Sequence, residues 1–221
     1  MSRLALRPTL SIDLSLYLVT DQLLCGSRGI IATVQAALKG GITALQYRAK
    51  EIDLSAAMTE ASALATMANA HGVPFIINDR LDLALAIGAD GLHVGQTDIA
   101  PALARRYLGP DKILGLSITR ASELGTIDPT VADYIGLGPV FATATKADAA
   151  PALGLEHFRQ LRQAIDLPVV AIGGIGQEQA EDVIRAGADG IAVVSAICAA
   201  SDPAIAAEEL RKSVLHARWQ S

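Results

Sequence analysis

Eight short apolar runs, each followed by an alanine-rich stretch in which apolar residues recur at helical spacing, divide this chain almost from end to end. The runs lie at residues 14–19, 44–47, 73–77, 91–94, 113–116, 134–137, 169–172 and 190–194. The helical stretches that alternate with them lie at 30–38, 55–70, 82–87, 99–107, 121–124, 155–164, 177–186 and 203–217. A strand that always gives way to a helix can meet the next strand only through a crossover, so the sheet must be parallel. Strands buried on both faces read as continuous apolar runs, as these do. Composition agrees: hydrophobic residues make up 51% and aromatics only 4%, so the core is built from Ala, Val, Ile and Leu. Eight units closing on themselves are the economical solution, and the predicted fold is α/β, a single (β/α)8 TIM barrel. A doubly wound open sheet is the rival that the alternation leaves open. At 221 residues the whole chain, 1–221, suits one such domain, with 1–12 expected as an N-terminal extension.

Punctuation fits the same plan. Pro74 and Pro168 stand where a helix must stop and a strand begin. The tetrapeptide Gly-Ala-Asp-Gly occurs at 88–91 and again at 187–190, each time before an apolar run. It reads equally as an echo of half-barrel repetition or as one turn solved twice. Asp82 is expected to cap the helix that it opens.

A formal net charge of −5 argues against a general nucleic-acid surface, so an anionic ligand needs Lys and Arg gathered locally. Cys25 and Cys198 have neither CxxC spacing nor a His at ligand distance, which points to buried thiols in a reducing cytoplasm. No apolar segment has the length of a membrane span or the form of a signal peptide. The expected partners are small molecules, with no nucleic acid and no membrane.

In a barrel the chemistry belongs just after the strands. After the second run, Gln46, Arg48 and Lys50 share one face of an extended segment, placing an amide, a guanidinium and an ammonium together. The third run is followed by Asn78 and Asp79 and the fourth by Asp98; two carboxylates after adjacent parallel strands suit Mg²⁺ shared with substrate phosphates. His93, inside the fourth run, reads as a hydrogen-bonded core residue. Ser117 adds a hydroxyl after the fifth run. The long connection from Gly138 to Gly154 has the length of a lid or binding loop, in which Thr143 and Thr145 share a face and Lys146 points away from them. Gly173 and Gly174 after the seventh run, with Val194 and Ser195 after the eighth, occupy the usual phosphate site of a barrel.

Taken in order, the segments at 46–50, 77–80, 91–98, 138–146, 171–175 and 193–197 resemble the thiamine phosphate synthase family. The resemblance implies a Mg²⁺-dependent transferase that joins a hydroxymethylpyrimidine diphosphate to a thiazole phosphate and releases pyrophosphate. It implies that Arg48, Lys50, Asn78 and Lys146 hold the diphosphate, with Mg²⁺ placed by Asp79 and Asp98. Gln46 and Ser117 would contact the pyrimidine or its leaving group. Thr143, Thr145, Gly173, Gly174, Val194 and Ser195 would hold the thiazole phosphate. Arg48, Lys50, Ser117 and Lys146 are the residues expected to act in catalysis. Tyr47 and Ala49 replace the family's usual Leu and Glu on the face away from these groups. The family commonly has a His two residues after the Ser, where this chain has Thr119. A thiazole tautomerase would need that His as its acid/base group. A non-catalytic phosphate-sensing barrel would have no use for paired Asp79 and Asp98, and a sugar-phosphate isomerase would need a Glu or His base after a strand.

Overall fold

The computed structural model describes residues 12–49, 52–143, 145 and 150–220. Its strands are β1 (Leu16–Val19), β2 (Ala44–Tyr47), β3 (Phe75–Asn78), β4 (Gly91–Val94), β5 (Ile113–Ile118), β6 (Tyr134–Leu137), β7 (Val169–Ile172) and β8 (Gly190–Val193). The helices are α1 (Gln22–Cys25), α2 (Gly29–Lys39), α3 (Leu54–Ala70), α4 (Leu81–Ile87), α5 (Pro101–Leu108), α6 (Gly154–Gln163), α7 (Gln177–Arg185), α8 (Ser195–Cys198) and α9 (Pro203–Trp219). The strands close in sequence order into one barrel in which β8 returns to β1, with Leu18 opposite Val193. Every pairing is parallel, as the alternation of runs and helices requires.

Several local expectations change. β1 and β3 each start two residues later than their apolar runs, at Leu16 and Phe75, and β3 takes in Asn78. β5 continues through Ser117 and Ile118, which pair with Gly136 and Leu137, so Ser117 is a strand residue facing the barrel's interior end and not a loop hydroxyl. The stretch at 121–124 is a 3₁₀ turn, Ala121–Thr126. Asp82 is not a cap: α4 starts after Arg80, and Asp82 lies in its first turn, paired with the Arg80 guanidinium at 3.0 Å. The caps made by side chains are Asp21, Asp53 and Asp202, each accepting from N–H groups of the first turn.

The turns that enter the strands share one device. One N–H group within the first two residues of each odd strand would be an orphan at the barrel's rim, and a side chain from the residue just before the next even strand accepts it. Leu16 N–H donates to Thr43 Oγ1 at 2.9 Å, and Phe75 N–H to Asp90 Oδ2 at 2.9 Å. Leu114 N–H donates to Asp133 Oδ2 at 2.7 Å, and Val169 N–H to Asp189 Oδ2 at 2.8 Å. The two Gly-Ala-Asp-Gly copies supply two of these acceptors, so the repeat is a local solution used around the whole barrel. Arg105 and Arg162 close the last two turns, pairing with Asp133 at 2.6 Å and with Asp189 at 3.0 Å.

Apolar side chains fill two layers. One joins the outward strand faces to the helices and includes Leu18, Leu45, Ile77, Leu92 and Ile135; the other fills the barrel with Leu14, Tyr17, Ile76, Ile113, Tyr134 and Val170. Two rings inside the barrel need space that the neighbouring strand must leave. A Cβ on Gly115 would stand 2.3 Å from both His93 Nδ1 and Tyr134 Cζ, so this β5 glycine makes room for a ring cluster beneath the cavity. Cys25 and Cys198 are buried free thiols, as expected, and they meet side chain to side chain where α1 packs on α8.

Candidate active site

At the C-terminal ends of the strands the barrel opens into a cavity of about 550 Å³. Among the expected site residues, Gln46, Arg48, Asn78, Asp79, Asp98, Ser117, Thr143, Thr145, Gly173, Gly174, Val194 and Ser195 all line it. Lys50 and Lys146 lie outside the described residues.

The cavity floor is a chain of hydrogen bonds that crosses the barrel. Gln46 Nε2 donates to the Tyr17 hydroxyl at 2.9 Å, and Tyr17 and Tyr134 hydroxyls are 2.8 Å apart. Tyr134 lies 2.9 Å from His93 Nδ1, and His93 Nε2 lies 2.8 Å from Ser117 Oγ. Burial pushes both phenols up, so each keeps its proton, and burial pushes His93 down to about 4 against a smaller pull upward from Asp98. A neutral imidazole has one proton to place. If Tyr134 donated to Tyr17, the Tyr17 proton would be left without an acceptor, because Gln46 already donates to that oxygen. The assignment with no orphaned proton runs one way, from Gln46 through Tyr17 and Tyr134 to His93 Nδ1, and then from Nε2–H to Ser117. Ser117 then accepts from below and can turn its own proton toward the cavity. His93 is thus both the buried hydrogen-bonded residue expected and part of the cavity lining.

Two carboxylates stand on the rim above β3 and β4. Asp79 has φ 61°, a left-handed conformation that Asp tolerates better than most residues; its N–H donates to the His93 carbonyl at 2.8 Å, and Asn78 Nδ2 donates to its Oδ1 at 2.7 Å. Asp98 Oδ2 accepts from Gly95 N–H at 2.7 Å. Among the described residues no three His, Cys, Asp or Glu side chains are grouped to hold a metal by themselves. Two hard oxygen donors facing an open cavity fit a magnesium ion whose other ligands are water and phosphate oxygens, and do not fit a closed structural site.

Arg48 comes off β2 with its N–H on Thr20 Oγ1 at 3.1 Å and its Nη1 3.3 Å from Asp21 Oδ2, so this cation is anchored by the loop after β1. Asp21 also caps α1, accepting from Leu24 N–H at 3.1 Å, and was not singled out from the sequence.

Past β5 the chain folds around Glu123. Thr119 donates to this carboxylate from both N–H, at 2.7 Å, and Oγ1, at 3.0 Å, while Arg120 Nε donates to Oε1 at 2.6 Å. Burial raises the Glu123 carboxyl, but the Thr119 N–H, Arg120 and Thr119 hydroxyl bonds outweigh it and hold it below the usual carboxylate range. Gln96 Nε2 ties the β4 loop to the Ser117 carbonyl at 2.8 Å. Gln96, Arg120 and Glu123 all line the cavity and were not singled out from the sequence.

On the far side, the segment after β6 lies along β7. Val140 N–H donates to the Ile172 carbonyl at 2.9 Å and Phe141 N–H to the Gly173 carbonyl at 3.0 Å. Gly173 and Gly174 have φ 100° and 63°, and a Cβ on them would stand 2.4 Å from Pro139 Cβ and 2.5 Å from the Ala142 carbonyl. Packing therefore demands glycine here, independently of any ligand. Thr143 and Thr145 hydroxyls, 3.3 Å apart, face the same cavity.

The family model for thiamine monophosphate synthase matches residues 16–197. Thiamine-phosphate synthase of Azorhizobium caulinodans is 51% identical over 199 residues, 90% of this chain and 94% of that one. The enzyme of the same name from Xanthobacter autotrophicus is 51% identical over 206 residues, 93% of this chain and 98% of that one. Among solved structures, thiamine phosphate pyrophosphorylase from Pyrococcus furiosus superposes with a TM-score of 0.84 at 36% identity, covering 93% of this chain and 97% of its own. A 3-hexulose-6-phosphate synthase, at 17% identity and a TM-score of 0.63 over 90% of this chain and 99% of its own, shares the fold alone.

Proposed function

Since the chain belongs to the thiamine monophosphate synthase family, and so to the transferases of thiamine biosynthesis, we propose that this cavity couples 4-amino-2-methyl-5-hydroxymethylpyrimidine diphosphate to a thiazole phosphate. One observation carries the reading: a floor of amide and hydroxyl groups lies between two rims suited to anions, one above β2 to β4 and one above β7 and β8. Arg48 and Asn78, with Lys50 and Lys146, hold the diphosphate. Asp79 and Asp98 hold Mg²⁺, which when bound offsets negative charge on the departing pyrophosphate. Gln46 and Ser117 orient the pyrimidine. Thr143, Thr145 and the N–H groups of Gly173, Gly174, Val194 and Ser195 hold the thiazole phosphate.

The bond from the pyrimidine methylene to the diphosphate oxygen breaks, its electrons leave with pyrophosphate, and the thiazole nitrogen bonds to the methylene carbon. If departure precedes attack, a pyrimidinylmethyl cation stands briefly in the cavity, and the protein's task is positioning and electrostatic support without a nucleophile of its own. A tautomerase reading is disfavoured, since Thr119 stands where an acid/base His is needed and spends its donors on Glu123.

Incubation of purified protein with both substrates and Mg²⁺ is expected to yield thiamin phosphate and pyrophosphate in equal amounts. Asp79→Asn and Asp98→Asn are each expected to raise the Mg²⁺ concentration for half-maximal rate by roughly tenfold or more, since even partners one shell further out matter by that factor. Full activity of either variant at limiting Mg²⁺ would remove that carboxylate from the metal site, and absence of product from the wild-type chain would dismiss the function itself. A phosphate-sensing barrel predicts binding of the thiazole phosphate without turnover.

A further inference from the structure

We propose that Arg120 is a further anion-binding residue of this site: a phosphate-oxygen donor supplied by the β5 loop, held in place by Glu123 and directed at the diphosphate and its pyrophosphate product. The assignment rests on the reading of the cavity as the coupling site.

The β5 loop departs from the family pattern on the cavity side, with Thr119 in place of a His. Thr119 does not fill the role of that ring, because its N–H and hydroxyl both turn to Glu123. The group that this loop extends along the cavity is the next side chain, Arg120. Its guanidinium is anchored along one edge only, Nε to Glu123 Oε1 at 2.6 Å. Nη1 and Nη2 make no hydrogen bond or ion pair among the described residues. Other arginines spend those nitrogens on the protein: Arg48 on Asp21, Arg80 on Asp82 and the Ile52 carbonyl, and Arg162 on Asp189 and the Ile165 carbonyl. Arg120 therefore presents a planar pair of donors, already oriented, of the kind that grips two oxygens of one phosphate.

Glu123 explains why the orientation holds. Its side chain is 8% exposed while that of Arg120 is 71% exposed, so the carboxylate is a fixed post in the protein and the guanidinium reaches from it into open space. Charge balance gives the site a use for it. Among the described lining residues the cations are Arg48 and Arg120, facing the carboxylates of Asp79, Asp98 and Glu123. A diphosphate approaching that rim needs every available positive charge.

Position selects which anion. β5 lies between β4 and β6, and Gln96 ties the β4 loop that carries Asp98 directly to the Ser117 carbonyl. Gly173, Gly174, Val194 and Ser195 belong to β7 and β8, and the segment after β6 that leads to Thr143 and Thr145 lies along β7, so Arg120, tied to the β4 loop, stands on the diphosphate side.

The test is calorimetric binding of pyrophosphate with Mg²⁺, together with steady-state kinetics in which each substrate is varied, for the wild type, Arg120→Gln, Arg120→Lys and Glu123→Gln. A charge-assisted hydrogen bond corresponds to roughly one decade or more in affinity. Arg120→Gln is expected to weaken pyrophosphate about tenfold and to raise KM for the pyrimidine diphosphate by a similar factor. KM for the thiazole phosphate should stay within about twofold, and the thermal midpoint should fall by no more than about 4 °C, the effect of losing one largely exposed partner of Glu123. Arg120→Lys and Glu123→Gln, which keep a cation but lose the fork or its post, are expected to fall between. Unaltered pyrophosphate affinity in an active Arg120→Gln enzyme would overturn the assignment and leave a solvated surface arginine. Equal losses for both substrates accompanied by a larger fall in thermal midpoint would also overturn it, in favour of a purely structural tie within the loop. If the wild-type chain bound no pyrophosphate and formed no thiamin phosphate, the reading of the site would fall first and this assignment with it.

Discussion

Replacing Tyr134 by Phe removes a single oxygen from the middle of the floor and leaves its ring in place. That oxygen is the acceptor for the Tyr17 proton at 2.8 Å and the donor to His93 Nδ1 at 2.9 Å, so two buried groups lose their partner at once. Both are buried at the cavity floor, Tyr17 1% and His93 7% exposed. An orphaned buried donor or acceptor costs about 1–3 kcal/mol, and relief from burying the Tyr134 hydroxyl recovers part, for a net loss of about 2–4 kcal/mol. In a domain of this size each kcal/mol moves the midpoint by roughly 2–4 °C, so a fall on the order of 10 °C is expected. The second consequence is chemical. Without a donor at Nδ1 the imidazole proton is free to move there, Nε2 becomes an acceptor, and the Ser117 proton is drawn down to it and away from the cavity. Turnover should therefore fall while pyrophosphate affinity stays as it was. Urea unfolding measures the first effect, and long-range nitrogen–proton NMR of the His93 ring reads the second, with the proton on Nε2 in the wild type. A wild-type ring protonated at Nδ1, or a variant within about 0.5 kcal/mol of wild type, would refute the one-way chain.

Arg105→Met tests the other end of the barrel: it leaves Asp133 and the carbonyls of Val131 and Lys112 without their guanidinium, and a loss of about 3–5 kcal/mol in urea unfolding is expected with kcat unchanged below the melting range. A variant that keeps its stability but loses turnover would reverse that division of labour. Glu123 predicts a pH effect. Its folded pKa lies below the ordinary 4.5, so its contribution is complete above that value and is lost as pH falls through the folded pKa. The decline in urea midpoint below about pH 4.5 should be shallower in Glu123→Gln than in the wild type, and parallel curves would show that the carboxylate is not held as described.

Much of the architecture could be read from the chain because each strand carries its own signal. Ala44–Tyr47, Gly91–Val94, Tyr134–Leu137 and Val169–Ile172 are bounded as their apolar runs are, since parallel strands buried on both faces need no partner to reveal them. The helices α1 and α8 were invisible for the opposite reason: four residues make one turn, which shows no periodicity. The C-terminal end of β5 moved because Ser117 is polar and looked like the start of a loop, although it is a strand residue whose hydroxyl is matched by His93 on the neighbouring β4. The same contrast holds at the site. Arg48 and Asp79 declare themselves as polar residues directly after strands, Gln46 as a polar residue near the end of one, and Asp98 as a carboxylate in the loop that follows β4. Tyr17 and Tyr134 do not, because each sits inside an apolar run and acquires its role only from a partner brought close by closure of the barrel. Arg120 and Glu123, three apart in the chain, read as an ordinary surface pair until the burial of one and the reach of the other are seen together.

The ring cluster beneath the cavity also governs passage. Tyr17, Tyr134 and His93 span the barrel, and Leu14, Ile76, Ile113 and Val170 pack inside it, so the vessel is sealed at its base and open at one end. Whatever rests against Gln46 and Ser117 arrives from above and departs by the same route. A second molecule lodged over it becomes a stopper, and the deeper one waits until the upper has gone. Entry and exit in this barrel therefore share one mouth.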